Sequence, residues 1–178
     1  MDPVHWLTPE QEREIYDLHD NDPDDFGYRR FLSRLTAPLL DRLPEGAHGL
    51  DFGCGPGPAL ARMMESEGMR MNLYDPFFYP ESSVLDRCYD FVTCTEVVEH
   101  LHRPHEVFLK LDRLVKSGGW VGVMTCFQTD DSKFANWHYR RDPTHVVFYR
   151  EATMVWLAEK FGWTMEVPVK DVVLFRKP

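Results

Sequence analysis

The chain has 178 residues, a length typical of one domain with a single hydrophobic core. Hydrophobic residues make up 43% of it and charged residues 28%, which excludes a disordered, collagen-like or low-complexity chain. The 29 acidic residues outnumber the 20 Lys and Arg residues, and this net charge of −9 argues against nucleic-acid binding, because no basic stripe is available for the phosphates. The composition favours a small-molecule partner.

The cysteine spacing and the first residues indicate a cytoplasmic protein. The four cysteines show neither a zinc-binding spacing nor a disulfide-rich pattern, as expected in a reducing compartment. The first residues are not basic and precede no long apolar stretch, and no run of about 18 apolar residues occurs. We therefore expect neither export nor a membrane span.

Two helices are predicted within residues 1–44, which we expect to form a helical cover. Thr8 and Gln11 have the pattern of a capping box, and the helix that they begin is expected to end near His19. A second helix is predicted over 31–43, because leucine and phenylalanine recur there at helical spacing. This second helix should face the core.

Residues 45–178 alternate short apolar segments with helical ones and form the predicted core of the single domain. This alternation predicts a mostly parallel sheet covered by helices on both faces, a three-layer α/β architecture. The last two strands are separated by two residues, so a hairpin is expected to place one antiparallel strand in the sheet. The predicted strands are 49–53, 69–75, 90–95, 120–126, 164–169 and 172–176. The predicted helices lie near 58–66, 97–101, 105–115 and 151–161.

The segment 51–58 is the most informative part of the sequence. A predicted strand runs there into three alternate glycines, Gly53, Gly55 and Gly57, and then into a helix. Glycines at such a turn allow positive φ and a close approach of the backbone to a ligand, although a simple tight turn is the alternative. Asp51 would repel a pyrophosphate and attract an ammonium or sulfonium group, which argues against a dinucleotide site.

Asp75 lies 18 residues after Gly57, at the tip of the second predicted strand. Nucleotide-binding folds of this kind place an acid at about this interval, where it accepts hydrogen bonds from ribose hydroxyls. Taken alone, the residue is equally consistent with a surface-turn aspartate before Pro76. Together with the glycine turn and Asp51, it indicates a nucleoside site for a cationic ligand.

These segments resemble the class I S-adenosylmethionine-dependent methyltransferases over nearly all of 45–178, which implies a Rossmann-like fold. Residues 91–101 resemble the family's fourth strand and the turn after it, and residues 114–121 resemble the approach to its fifth strand. In the family, the glycine turn holds the methionine end of the cofactor, and the acid matching Asp75 holds the ribose. The resemblance implies the following cofactor-binding residues: Asp51, Phe52, Gly53, Cys54, Gly55, Gly57, Asp75, Pro76, Phe77, Thr95 and Glu96.

The sequence departs from the family between Asp75 and Tyr89. Only 13 residues lie between them, too few for a helix, the family's third strand and a further helix, so we expect this strand to be absent or vestigial. The polar residue with which the family commonly caps adenine is then in doubt. Pro76, Phe77 and Phe78 are candidates to stack on the base, and a hydrophobic plug over the shortened sheet edge is the alternative.

Four residues, Glu96, Glu99, His100 and His145, resemble the divalent-metal site of the small-RNA 2′-O-methyltransferases. The Glu-x-x-Glu-His segment also resembles ubiquinone-pathway O-methyltransferases. Two carboxylates and two imidazoles are suited to Mg, Mn, Fe or Zn, with an open position that polarises an acceptor hydroxyl. A helix that begins at Glu96 would bring the first three side chains together. The alternative is a hydrogen-bond network at the helix entry, without a metal.

His145 and Glu96 are the candidate catalytic residues. An ordinary imidazole pKa of about 6.5 suits His145 to proton removal near neutrality, although a buried histidine bonded to the backbone is the alternative. The aromatic residues 137–139 lie where this fold usually builds its acceptor pocket. They suggest a flat or apolar acceptor, and packing against Phe148 is the alternative explanation.

Tyr16, His19 and Tyr28 are lid candidates, because relatives often fold a helix over the cofactor; plain amphipathic packing is the alternative. The leading hypothesis is an enzyme that transfers a methyl group from S-adenosylmethionine to a small acceptor, at an oxygen atom. Two alternatives stay open. One is a non-catalytic module that holds the cofactor or its demethylated product, and the other is a metal-dependent RNA methyltransferase, which the acidic composition disfavours.

Overall fold

The computed structural model describes residues 1–18 and 21–178, and a six-stranded sheet lies at its centre. The strands are β1 (His48–Phe52), β2 (Arg70–Tyr74), β3 (Tyr89–Thr95), β4 (Val115–Met124), β5 (Thr164–Glu166) and β6 (Val172–Arg176). The helices are α1 (Pro9–Tyr16), α2 (Phe26–Leu40), α3 (Ala59–Ser66), α4 (Pro104–Leu114) and α5 (Glu151–Phe161). Short 3-10 turns occupy Pro3–His5, Ser82–Asp86, Val98–His100, Asp131–Asn136 and His138–Arg141.

The strand order of the sheet is β2-β1-β3-β4-β6-β5. The first four strands run parallel to one another, and β6 is antiparallel to both of its neighbours, β4 and β5. This confirms the Rossmann-like architecture with one antiparallel strand from the C-terminal hairpin. Because parallel strands end at the same edge of a sheet, the residues that follow β1, β2 and β3 meet there.

The family's third strand is absent from the residues that the structure describes, as predicted. β2 is therefore an edge strand, and its C-terminal end leads into a tight loop. This loop contains a bridge between Asp75 and Tyr79, followed by the 3-10 turn Ser82–Asp86. The chain then enters β3 directly.

Several element boundaries differ from the prediction. The second helix, predicted over 31–43, begins at Phe26 and ends at Leu40. The helix predicted near 97–101 is only the 3-10 turn Val98–His100. β4 begins at Val115, earlier than predicted, and a bulge with Gly118 at φ 80° interrupts its pairing with β3. β5 ends at Glu166, earlier than predicted, because Pro168 has no N–H group for the ladder.

Helices bury both faces of the sheet in two hydrophobic clusters. α4 and α5 cover one face, where Phe108, Leu111 and Met154 are almost completely buried. α2 and α3 cover the other face, and α2 contributes the buried Leu35 and Leu39 there. The second predicted helix therefore faces the core, as expected. No helix in the described part of the chain has the length and apolar character needed to cross a bilayer.

Candidate active site

A cavity of about 620 Å³ opens above the C-terminal ends of β1, β2 and β3. α1 and α2 complete its wall on one side, and α4 completes it on the other. The wall contains every residue predicted to contact the cofactor: Asp51, Phe52, Gly53, Cys54, Gly55, Gly57, Asp75, Pro76, Phe77, Thr95 and Glu96. The strand ends thus bring together residues that are far apart in the chain.

The turn after β1 needs glycine for two reasons. Gly53 and Gly55 have φ angles of 79° and 64°, which residues with a Cβ atom rarely adopt. A Cβ atom at Gly57 would lie 2.2 Å from the carbonyl oxygen of Asn21. The segment that precedes α2 therefore lies directly on the glycine turn.

Asp51 is the buried carboxyl group at this turn, with 3% of its surface exposed. Its Oδ1 accepts a hydrogen bond of 2.8 Å from the hydroxyl group of Thr93. Burial raises the pKa of Asp51 to about 7; the Thr93 hydrogen bond acts in the opposite direction, and the charge of Asp75 adds to the rise. A cation in the cavity would favour the charged form of Asp51.

Asp75 lies in the same wall and also organises its own turn. Its Oδ1 accepts hydrogen bonds from the N–H groups of Phe77 and Phe78, at 2.8 and 3.1 Å. Its Oδ2 accepts a hydrogen bond of 3.1 Å from the N–H group of Gly55. The carboxylate thus builds a turn and links the ends of β1 and β2, while it stays in the cavity wall.

Glu96 and Glu99 share the hydroxyl group of Tyr139. The phenol oxygen lies 2.5 Å from Glu99 Oε1 and 3.1 Å from Glu96 Oε2. Glu99 Oε2 also accepts a hydrogen bond of 2.9 Å from the hydroxyl group of Thr125. A phenol carries one proton and can donate to only one carboxylate at a time. The carboxyl group that does not receive the phenol proton makes a favourable contact with the phenol oxygen only when it carries a proton of its own.

The surroundings of this carboxyl pair favour such a bound proton. Burial raises the pKa of Glu96 to about 8, and the charge of Glu99 adds to the rise. Burial also raises the pKa of Glu99 to about 7, against the lowering effect of its hydrogen bonds from Tyr139 and Thr125. The pair therefore retains a proton near neutral pH. Neither Tyr139 nor Thr125 was identified as a partner of these acids from the sequence.

His100 and His145 lie beside Glu99. One ligand atom from each of these three residues lies within 4.8 Å of the other two, a spacing compatible with a shared metal ion. Glu96 is not part of this group. The structure brings together three of the four residues predicted as metal ligands.

His145 is 7% exposed, and its Nδ1 donates a hydrogen bond of 2.7 Å to the carbonyl oxygen of Tyr139. It therefore has the backbone bond that the sequence analysis raised as an alternative. The N–H groups of the next two residues, Val146 and Val147, both donate to the carbonyl oxygen of Glu99. His145 also lies in the cavity wall, so its role as a general base stays a prediction.

The loop after β4 does not supply the aromatic acceptor pocket that residues 137–139 suggested. Trp137 packs against Phe134 and Phe148, with ring centroids 6.2 and 5.6 Å apart. Neither Trp137 nor His138 belongs to the cavity wall. Packing against Phe148 therefore explains Trp137, which lies between the two 3-10 turns of this loop.

The N-terminal helices close the cavity opposite the strand ends. The ring of Tyr16 contacts Phe77 and His100 at centroid distances of 5.6 and 5.4 Å, and Tyr28 also lies in the wall. His19, the third predicted lid residue, lies outside the described residues. Glu12, which was not predicted, adds a further acid to the wall.

The Rossmann-like sheet, the glycine turn and the carboxyl groups near the ends of its first two strands agree with the resemblance to the class I S-adenosylmethionine-dependent methyltransferases. A family model described as a methyltransferase domain matches residues 26–166. The chain therefore belongs to this family of methyltransferase domains.

Curated relatives and solved structures agree with this family. Over 198 aligned residues, the chain is 28% identical to a ubiquinone biosynthesis O-methyltransferase of Escherichia coli O6:H1, covering 94% of this chain and 76% of that enzyme. It is 57% identical over 39 residues to the enzyme of that name from Nitrosomonas europaea, covering 22% of this chain and 17% of that enzyme. An O-methyltransferase family protein from Burkholderia thailandensis shares the fold with a TM-score of 0.59 and 13% identity, over 93% of this chain and 63% of that one.

The raised pKa of Glu96 predicts a pH-dependent effect on stability. The unfolded glutamate titrates near 4.5 and the folded one near 8, so its contribution is fully present below pH 4.5 and is lost as the pH rises to about 8. We expect Glu96→Gln to unfold at a higher temperature than the wild type at pH 8.5, with the difference shrinking towards pH 5. Each 1 kcal/mol corresponds to about 2–4 °C for a chain of this length.

Thermal unfolding followed by circular dichroism across this pH range provides the measurement. Glu159→Gln, on the exposed side of α5, is the matched control and should follow the wild-type profile. A difference between Glu96→Gln and the wild type that does not change with pH would contradict the buried-carboxyl assignment.

Proposed function

We propose that the protein transfers a methyl group from S-adenosylmethionine to an oxygen atom of a small-molecule acceptor. The observation that carries this proposal is the cavity in which the glycine turn, Asp51 and Asp75 meet Glu96, whose carboxyl group is linked through Tyr139 to the buried Glu99. The names of the curated relatives, ubiquinone biosynthesis O-methyltransferase, support oxygen as the methyl-accepting atom.

Each part of the wall has a proposed task toward the cofactor. Asp51 offers a carboxylate to a positive charge, and Asp75 Oδ2, which accepts only the Gly55 hydrogen bond, retains a lone pair for a ribose hydroxyl. The glycine turn allows the backbone to approach the methionine end closely. Pro76 and Phe77 offer apolar surface to the adenine base. Phe52, Cys54 and Thr95 complete the proposed binding surface.

The chain's own contribution to the reaction is alignment and proton removal. When bound, the sulfonium supplies a methyl carbon that bonds to the acceptor oxygen as the carbon–sulfur bond breaks, with the electron pair staying on sulfur. Glu96 is the proposed base for the acceptor proton, because it lies in the wall and is linked through Tyr139 to the buried Glu99. His145 is the second candidate base: its Nδ1 carries a proton for the Tyr139 carbonyl, so Nε2 is the basic nitrogen of the neutral ring.

The proposal also includes a divalent metal ion, and methyl transfer does not depend on this part of it. Glu99, His100 and His145 would hold it through one carboxylate and two imidazoles, a ligand set that suits Mn, Fe or Zn better than Mg. Such an ion would polarise the acceptor hydroxyl and ease its deprotonation. The resemblance to small-RNA 2′-O-methyltransferases suggested the site, but the net charge of −9 disfavours an RNA acceptor.

A non-catalytic cofactor-binding module is the alternative function. The absence of the family's third strand from the described residues is the observation that favours it. Turnover of any acceptor would exclude this alternative.

Ligand binding and turnover test the proposal directly. We expect the wild-type protein to bind S-adenosylmethionine and S-adenosylhomocysteine in calorimetry, and Asp75→Asn to weaken both by about 10-fold or more, because the ribose loses a charged hydrogen-bond acceptor. Glu65→Gln, exposed on α3, is the control and should bind normally. Methylated products from a panel of hydroxyl-bearing metabolites, detected by mass spectrometry, report turnover. Absence of binding of both ligands to the wild type would refute the function.

Replacing His145 by Ala distinguishes a base from a metal ligand. For a base, we expect turnover to fall by about 100-fold or more, cofactor affinity to stay unchanged, and added Mn or Mg to restore nothing. Metal analysis of the purified wild type and its activity with a chelator complete the test. If no metal copurifies and the chelator has no effect, the metal site should be abandoned; if turnover of His145→Ala is normal, Glu96 is left as the base.

Gly57→Ala tests the contact between the N-terminal cover and the glycine turn. The new Cβ would meet the backbone oxygen of Asn21 at 2.2 Å, so we expect the segment before α2 to be displaced and S-adenosylhomocysteine affinity to fall by about 10-fold or more. Gly27→Ala is the matched control, because its Cβ meets only the Asp25 carboxylate at 3.3 Å. Equal affinities of the two variants would show that the cover does not contribute to binding.

A further inference from the structure

Lys110 is the only lysine or arginine in the cavity wall formed by the described residues. It extends from α4, and Val107, one turn earlier on this helix, lies in the same wall. Lys110 as a residue is half-buried, and its side chain forms no hydrogen bond or ion pair with any residue in the described ranges. Its hydrogen-bond donors are therefore available to a ligand in the cavity.

The cavity wall next to α4 is otherwise mostly apolar. Tyr74, Leu101 and Val107 pack there against the hydrophobic cluster that α4 and α5 form with the sheet. The ring of Phe52 lies 5.2 Å from that of Tyr74. Flat apolar surface with one strong donor at its border suits a heteroaromatic base.

The distribution of charge indicates which part of the cofactor this region takes. The wall also contains five carboxyl groups, those of Glu12, Asp51, Asp75, Glu96 and Asp142. A sulfonium or ammonium group is stabilised near these carboxylates and repelled by Lys110. The uncharged adenine base experiences no such repulsion. With the ribose at Asp75 and the cationic end at Asp51, the base is the part left for the α4 side of the cavity.

We propose that Lys110 recognises the adenine base by donating a hydrogen bond from Nζ to one of its unprotonated ring nitrogens. This inference rests on the proposed function, because it requires S-adenosylmethionine in the cavity. A lysine ammonium group can only donate, and adenine offers N1, N3 and N7 as acceptors. Lys110 thus supplies a polar contact for the base on α4, whereas the short loop after β2 has no room for the family's third strand and the residue that follows it.

Calorimetry with modified ligands tests this assignment. The probes are S-adenosylhomocysteine and its 1-deaza, 3-deaza and 7-deaza adenine analogues, each of which lacks one ring acceptor. We expect Lys110→Met, which keeps the apolar stem, to bind S-adenosylhomocysteine about 10-fold more weakly, equivalent to 1.4 kcal/mol. Two of the deaza analogues should show the same 10-fold difference in affinity between wild type and Lys110→Met. The analogue that lacks the ring nitrogen contacted by Lys110 should bind wild type and variant equally, because the hydrogen bond is already lost in the wild type.

Lys160→Met on α5 is the matched control, because its side chain lies over the ring of Trp156 and outside the cavity wall; its affinities should equal those of the wild type. Unchanged binding of S-adenosylhomocysteine to Lys110→Met would overturn the assignment and leave the proposed function intact. An equal loss for all three analogues would also overturn it, since no ring nitrogen would then be coupled to Lys110. Failure of the wild type to bind S-adenosylhomocysteine would overturn the proposed function together with this inference.

Discussion

The burial of carboxyl groups at one edge of the sheet is the constraint on which the rest of the structure depends. Asp51 and Glu99 are almost completely buried, and each receives a hydrogen bond from a threonine hydroxyl, Thr93 on β3 and Thr125 after β4. These donors replace only part of the lost hydration, so both carboxyl groups still favour a bound proton. These carboxyl groups at the edge of the sheet therefore attract positive charge, which suits a cationic cofactor.

Features that depend on residues close in sequence were predicted well. The glycine turn after β1, the antiparallel C-terminal strand and the missing third strand follow from local spacing and connection length. The partners of the buried acids were not predictable in this way. Thr93 is 42 residues from Asp51 and Tyr139 is 40 residues from Glu99, so these pairs depend on strand register and on the path of a long loop.

The errors in the candidate site have a related physical cause. Composition shows that the loop after β4 is aromatic, but it does not show which side each ring faces. Trp137 packs against Phe148, whereas Tyr139, two residues later, directs its hydroxyl group to the acids. Likewise, a helix beginning at Glu96 was expected to bring Glu96, Glu99 and His100 together. The structure has only the 3-10 turn Val98–His100 there, and Glu99 and His100 lie close to His145 without Glu96.

The backbone of Glu96 has a φ angle of 51°, in the left-handed region that glycine or asparagine tolerates best. A residue held in that region costs about 1–3 kcal/mol of folding free energy. Glu96 is therefore held in a main-chain conformation that residues with a Cβ atom disfavour. A glycine or asparagine at position 96 would relieve this strain and stabilise the fold, but it would also remove the proposed base, so engineering for thermal stability should leave this position unchanged.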